Sequence, residues 1–234
     1  FTPAGAAEMR AAGTAFVDMR ARIERHIETR TLMLSGVSHD LRTPLTRMRL
    51  ALTMLDDADR IPLEQDVIEM QQMIDAFLSF AAGESEGEPE KIDATELVRL
   101  LVKDAQRANL PVSFYMSEGT GTTLLRPIAM RRALDNLINN AVRYGNRAEV
   151  SITITNKFVR FRVEDDGPGI PEAQRSDAQQ AFVRLDPARN QDKGSGVGLG
   201  LAITADIARA HGGTLRLSDS KRLGGLKADM IIGR

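Results

Sequence analysis

Glu84-Ser85-Glu86-Gly87-Glu88-Pro89-Glu90 divides the sequence into two stretches with different hydrophobic periods, and that difference decides the fold. The segment is acidic, has no large apolar side chain and contains Gly and Pro, so residues 84–90 read as a linker. Upstream, residues 1 to 82 are rich in Ala, Arg, Met, Leu and Glu and almost free of strand signals, the composition of long helices. Leu34, Val37, Leu41, Leu45, Met48, Leu52 and Leu55 recur by threes and fours, the spacing of a coiled-coil seam. Asp56-Asp57-Ala58-Asp59-Arg60-Ile61-Pro62 interrupts the seam. Pro62 suits the first turn of a second helix, whose own stripe is Val67, Met70, Ile74, Phe77 and Ala81. One helical hairpin leaves much of each stripe wet, whereas two hairpins from two chains cover both. The spacing therefore predicts a four-helix bundle and a homodimer.

Downstream the period changes. Asp93-Ala94-Thr95-Glu96 reads as a capping box opening a helix to about Asn109, Val112 to Met116 as a strand, and Pro127 to Tyr144 as a long helix. Val150 to Ile154 and Val159 to Val163 alternate on either side of Asn156-Lys157, a hairpin signal. Leu199 to His211 is a helix stopped by Gly212-Gly213, and strands follow near Thr214 to Leu217 and Ala228 to Ile232. The fold class expected is α+β, with a helix-plus-sheet sandwich of mostly antiparallel strands after the hairpin.

Composition narrows the function. In 234 residues, 42% apolar, 27% charged and 4% aromatic side chains exclude disordered, collagen-like and disulfide-scaffold classes. Lys and Arg number 31 against 32 Asp and Glu, a formal net charge of −1. No nucleic-acid partner is expected, because sequence-independent binding needs a basic field. With no cysteine there is no disulfide, thiolate metal site or cysteine nucleophile. No apolar run approaches the roughly 18 to 20 residues of a membrane span, and Phe1-Thr2-Pro3 is neither an initiator Met nor a charged signal start. The chain reads as an excised part of something longer.

Four segments carry chemistry. In Ser38-His39-Asp40-Leu41-Arg42-Thr43-Pro44-Leu45, helical spacing projects His39 away from the seam, where an imidazole can meet a substrate. Asp40 can orient the ring or take its proton, leaving the other nitrogen as a nucleophile. Thr43 lies one turn on, and Pro44 removes the hydrogen bond to the Asp40 carbonyl, which should bend the helix beside His39. A solvated histidine beside an ordinary kink is the plainer reading of this segment alone. His26 reads as a surface residue and His211 as a favourable charge at a helix end.

In Asn136-Leu137-Ile138-Asn139-Asn140-Ala141-Val142-Arg143-Tyr144, Asn136, Asn140 and Arg143 share one helix face, where amides and a cation could line phosphates and a hard metal. A polar helix face is the alternative. Val163-Glu164-Asp165-Asp166-Gly167-Pro168-Gly169-Ile170 sets acids at a strand end beside glycines that admit a ligand closely, and an Asp there can accept from an exocyclic amine. A calcium loop is the rival, but the alternation of oxygen ligands over twelve positions is missing. Gly194-Ser195-Gly196-Val197-Gly198-Leu199-Gly200-Leu201-Ala202 runs into a helix N-terminus, presenting free N–H groups to an anion, with Lys193 at its edge. It has neither the Rossmann nor the Walker A spacing. Residues 171 to 193 read as a mobile lid carrying Phe182 and Arg184.

In this order and spacing the four segments resemble a bacterial sensor histidine kinase, and the short lid with Phe182-Val183-Arg184 is most similar to the EnvZ-type branch. The resemblance implies residues 1–27 as the end of a HAMP-like linker helix, Ala15-Phe16-Val17-Asp18-Met19 included. It implies 28–83 as the dimerisation and phosphotransfer hairpin and 91–234 as a Bergerat-type ATP-binding sandwich. His39 would be the phosphoacceptor, Asp40 its acid–base partner, and Thr43 the residue positioning water when a phosphorylated response regulator is dephosphorylated. Asn140 would ligate Mg²⁺ bridging the phosphates of ATP, with Asn136, Arg143 and Tyr144 beside it. Asp165 would hold the adenine amine, with Gly167, Gly169 and Ile170 shaping that pocket. Phe182 would belong to the lid, and Lys193, Gly194, Ser195, Gly196, Val197, Gly198, Leu199 and Gly200 would cover the phosphates.

The partners implied are a second copy and the receiver domain of a response regulator. The location implied is cytoplasmic, in a parent held in the bacterial inner membrane by upstream segments. Asp177-Ala178-Gln179-Gln180 departs from the family by offering the lid's start little hydrophobic anchoring. Two other function classes compete: a dimeric scaffold that binds nucleotide without turnover, against which His39, Asn140 and Asp165 stand intact, and a water-using ATPase of the same fold, which has no use for a histidine-bearing hairpin.

Overall fold

The structure, a computed structural model, describes residues 7–82, 87–183 and 198–234. Within the two long helices it describes only part of the side chains, those of His26, Leu34, His39 and Ala81 not among them. The chain divides into two compact units, Phe1–Glu84 and Ser85–Arg234.

In the first unit, α1 (Ala7–Leu52) packs against α2 (Asp57–Ala82) as a hairpin. Among the described side chains of this unit, Leu45 and Val67 are the buried hydrophobic ones, 6% and 5% accessible, while Val37, Leu41, Met48, Leu55, Met70 and Phe77 of the two stripes remain exposed. Pro44 lies inside α1. Pro62 also lies inside a helix, not in its first turn as the sequence led us to expect. The acids around Asp57 start α2 earlier, where they favour the positive end of the helix dipole. The Asp56 carbonyl accepts the Asp59 and Arg60 amides at 3.1 and 2.9 Å. Arg60 then bridges Asp57 and Glu64 at 2.8 and 2.9 Å.

The second unit is built on a five-stranded sheet of β2 (Val112–Glu118), β4 (Ala148–Ile154), β5 (Phe158–Asp165), β6 (Thr214–Asp219) and β7 (Leu226–Gly233). The strand order is β2-β4-β5-β7-β6, with β2 and β4 parallel and the other neighbours antiparallel. Helices α3 (Ala94–Arg107), α4 (Pro127–Tyr144) and α5 (Gly200–Ala210) pack on it. Alternation decides the faces. Val150, Ile152, Phe161, Val163, Ala228 and Met230 are buried in the core, and the register sets Val150 opposite Val163 and Ile152 opposite Phe161. Polar residues take the other face, where Arg162 grips Asp229 with two bonds of 2.6 and 3.0 Å.

A second, two-stranded sheet pairs β1 (Glu90–Asp93) with β3 (Thr122–Leu125). It is absent from the sequence reading, because four residues are too few to display a period. Asp93 caps α3 as expected, accepting from the Thr95 and Glu96 amides at 2.9 and 3.2 Å.

Two readings need correction. His211 is not a helix-end cation: its Nε2 accepts the Arg126 amide at 3.1 Å, and its Nδ1 lies 2.8 Å from the Ile207 carbonyl. One nitrogen must accept while the other donates, so this network requires the neutral ring. It ties the end of α5 to the start of α4. The first part of the lid is also better anchored than its composition suggests. Two single-turn 3-10 helices, Glu172–Gln174 and Asp177–Gln179, bury Ala178 against α5. Arg175 holds them in place by donating from Nε to the Ile170 carbonyl at 2.9 Å and pairing with Asp219. A methyl group suffices where a charged side chain supplies the fastening. No helix among the described residues is long and apolar enough to cross a membrane.

Candidate active site

Three elements converge in the second unit. The core side of β5 ends in Asp165, which is 5% accessible. Its Oδ1 accepts the Gly167 amide at 2.9 Å and the Leu226 amide at 3.0 Å. Its backbone carbonyl accepts the Gly225 amide at 3.1 Å. Burial raises the Asp165 carboxyl above its ordinary value, and the two backbone donors pull it partly back down. Oδ2 takes no hydrogen bond from the described residues, so that oxygen is available to a ligand donor.

The neighbouring Asp166 joins this strand end to α4. Its Oδ1 accepts the Asn146 and Arg147 amides at 2.6 and 3.0 Å just past the helix, which holds its carboxyl below the usual range. The approach is close enough that a Cβ on Gly167 would stand 2.8 Å from the Tyr144 carbonyl oxygen. The last turns of α4 are thereby fastened beside Asp165. The third element is the N-terminus of α5, where a Cβ on Gly200 would contact Asn136 at 3.8 Å.

Asn136, Asn140 and Arg143 are half-buried along α4, and Tyr144 is exposed, its ring centroid 5.8 Å from the Arg143 guanidinium carbon. Asn136 Nδ2 and Arg143 Nε and Nη2 are buried with no hydrogen-bond partner among the described residues. Buried donors left unpaired are costly, and a polyanion with many acceptor oxygens would satisfy them. Together with the open acceptor on Asp165, they fit a nucleotide whose base carries an amine. No group of three or more imidazole or carboxylate side chains suited to a metal occurs among the described residues.

The structure thus brings Asn136, Asn140, Arg143 and Tyr144 together with Asp165, Gly167, Gly169, Ile170 and Gly200 in one unit. Gly198 precedes α5, Leu199 is buried at 2%, and Phe182 pairs with Gly198. Arg184, Lys193, Gly194, Ser195, Gly196 and Val197 lie outside the described residues. His39, Asp40 and Thr43 all lie on α1 of the first unit, with Asp40 and Thr43 exposed. Sequence reasoning missed Asp166, whose signal was an acid followed by glycine at a strand end. It also missed Gly225 and Leu226, which carry no signal because they act through backbone N–H groups alone.

A sandwich with its site at the end of a core strand, preceded by a histidine-bearing helical hairpin, defines a class, and sequence comparison identifies it. Residues 126–231 match the histidine kinase-, DNA gyrase B- and HSP90-like ATPase family, and residues 29–86 match the His Kinase A (phospho-acceptor) domain. The sensor histidine kinase GtrS of Pseudomonas aeruginosa is 32% identical over 98% of this chain and 47% of its own length. The sensor protein RstB of Escherichia coli is 34% identical over 92% of this chain and 51% of its own length. The crystal structure of the ATP binding domain of PrrB from Mycobacterium tuberculosis superposes with a TM-score of 0.52 at 29% identity, over 63% of this chain and 98% of that one. The chain belongs to the bacterial sensor histidine kinases of two-component systems. It spans about half the length of the curated relatives it matches.

Proposed function

We propose that this chain transfers the γ-phosphoryl group of ATP to His39 and passes it on to an aspartate of a response-regulator receiver domain. The observation that supports the nucleotide half best is Asp165. One oxygen is saturated by the Gly167 and Leu226 amides, and the other takes no hydrogen bond from the described residues, so it suits a ligand that donates, as the adenine amine does. The unpaired donors of Asn136 and Arg143 would take phosphate oxygens, and backbone amides at the start of α5 would add to them. Lys193 and the segment from Gly194 to Gly200 would cover the phosphates, with Phe182 at the lid's base.

Asn140 would supply an amide oxygen to Mg²⁺, with further oxygens from the nucleotide. The ion neutralises charge on the phosphates when bound. Phosphoryl transfer asks the protein mainly for position and charge. One imidazole nitrogen of His39 attacks the γ-phosphorus as the bond to the β,γ-bridging oxygen breaks, and ADP leaves. The proton on the other ring nitrogen passes to Asp40, leaving a phosphoramidate whose ring is neutral and whose phosphoryl group stays anionic. That N–P bond is labile enough to be attacked by a carboxylate of a partner.

Thr43, one turn beyond His39, would orient water during dephosphorylation of the regulator. The apolar stripes left exposed on α1 and α2 support a homodimer whose two hairpins form a four-helix bundle. In the parent protein the helical unit would continue upstream, through the HAMP-like residues 1–27, to a membrane segment.

Incubation of the chain with γ-labelled ATP and Mg²⁺, followed by acid and alkali challenge and peptide mapping, tests the proposal. Acid-labile, alkali-stable label on the peptide holding His39 is expected. Nucleotide binding without label would point to a scaffold instead.

A further inference from the structure

The side chains of the turn between β6 and β7 form a buried polar cluster behind the nucleotide site. Ser220, 2% accessible, uses every polar group it has. Its hydroxyl donates to Glu164 Oε1 at 2.7 Å and accepts the Leu223 amide at 3.0 Å. Its amide donates to the Gly225 carbonyl, and its own carbonyl accepts the Gly224 amide, both at 2.8 Å. Glu164 is itself buried, 7% accessible, and is the residue before Asp165.

Arg222, on the same turn, reaches over the outer face of the sheet. It pairs with Glu149 and lies 3.5 Å from Glu164 Oε2, with its guanidinium 3.8 Å above the Tyr115 ring. Glu149 and Glu164 are directly opposed across β4 and β5, so without a cation between them they would repel. The turn is thus fastened at Ser220 and Arg222 to the strand that carries Asp165.

The far end of the turn touches the site. Gly225 donates to the Asp165 carbonyl at 3.1 Å and Leu226 to Oδ1 at 3.0 Å. The fit admits no side chain at residue 225: a Cβ there would overlap Asp165 Oδ1 and lie 2.5 Å from both the Asp165 carbonyl oxygen and the Gly167 nitrogen. We infer that Ser220, anchored on Glu164, is a positioning residue for base recognition. It holds the Ser220–Leu226 turn so that the Leu226 amide saturates one oxygen of Asp165 and turns the other toward the amine of the base. This rests on the adenine role of Asp165 given above.

The test compares, in the full 234-residue chain, the Kd of ADP with that of purine riboside 5′-diphosphate, which lacks the 6-amino group. Wild type should prefer ADP by about tenfold or more, since a site built to hydrogen-bond a donor rejects the analogue lacking it. Ser220→Ala should lower that preference about fivefold through weaker ADP binding, with the deamino analogue held within about twofold. Ser220→Cys, a weak donor of similar shape, should lose less and covers the case in which Ser220→Ala does not fold. Glu164→Gln, which keeps an oxygen acceptor for the hydroxyl, should lose less than Glu164→Leu. In an Asp165→Asn background, Ser220→Ala should cost nothing further.

A preference that survives Ser220→Ala, or equal weakening of both nucleotides, overturns the inference while leaving the Asp165 role standing. Equal binding of both nucleotides by wild type overturns the Asp165 role and this inference with it.

Discussion

The amide of Phe182 donates to the carbonyl of Gly198 at 3.0 Å, which ties the segment after the 3-10 helices to the residues that lead into α5. Both residues adopt positive φ, 68° and 73°. Phenylalanine there is strained, whereas Gly198 is required, because a Cβ would stand 2.8 Å from the Val183 carbonyl oxygen. Gly198→Ala should therefore open this junction at a cost of about 1–2 kcal/mol, seen as roughly a tenfold loss of ADP affinity in a nucleotide titration. Unchanged affinity would mean that the junction does not organise the segment proposed to cover the phosphates.

His39→Ala should abolish acid-labile label from γ-labelled ATP while leaving the Kd of ADP within about twofold, because the residues proposed to hold the nucleotide all belong to the second unit. Asn140→Ala should abolish labelling and also the Mg²⁺-dependent part of nucleotide affinity. Persistent labelling in either variant would remove that residue from its role.

Thr43→Ala should leave autophosphorylation within about twofold and slow dephosphorylation of the phosphorylated regulator by about tenfold or more. The two rates are measured separately, with regulator added only in the second. An unchanged dephosphorylation rate would exclude Thr43 from water positioning.

Asp165 predicts opposite responses of stability and binding to pH. Burial holds its folded carboxyl above the ordinary value, so the folded state keeps the proton to higher pH than the unfolded chain does. Its contribution to stability is therefore full at low pH and is lost as pH rises through the folded value. Accepting the amine at Oδ2 requires the carboxylate, so ADP affinity should fall as pH drops, beginning above the ordinary aspartate range. Asp165→Asn should flatten both profiles. A wild-type affinity that holds constant across that range would show that the base does not read this carboxylate.

His211→Leu should cost about 1–3 kcal/mol, because the part-buried Arg126 amide loses its acceptor and the Ile207 carbonyl keeps only the backbone amide of residue 211 as donor. Thermal unfolding should shift down by several degrees, with ADP affinity at low temperature within about twofold of wild type. Loss of binding without loss of stability would show that the α4–α5 tie serves the site directly.

What the sequence determined is local or periodic. Pro127 to Tyr144 is the observed span of α4, because a proline start, an apolar stripe and a glycine after the end are all written in the chain. The hairpin of β4 and β5 and the break between the two units were legible for the same reason. Asp165, Asn140 and Arg143 were singled out from their own side-chain chemistry, and the structure sets Asp165 at the end of β5 and the other two on α4. Tertiary structure decided what depends on partners distant in the chain. Pairing of β1 with β3 joins segments too short to carry a period. His211 was misread as a helix-end cation because its acceptor role is set by Arg126, whose amide arrives from 85 residues away. Gly225 and Leu226 meet Asp165 through backbone amides, and every residue but proline has one, so only the folded chain shows which amide a carboxylate meets.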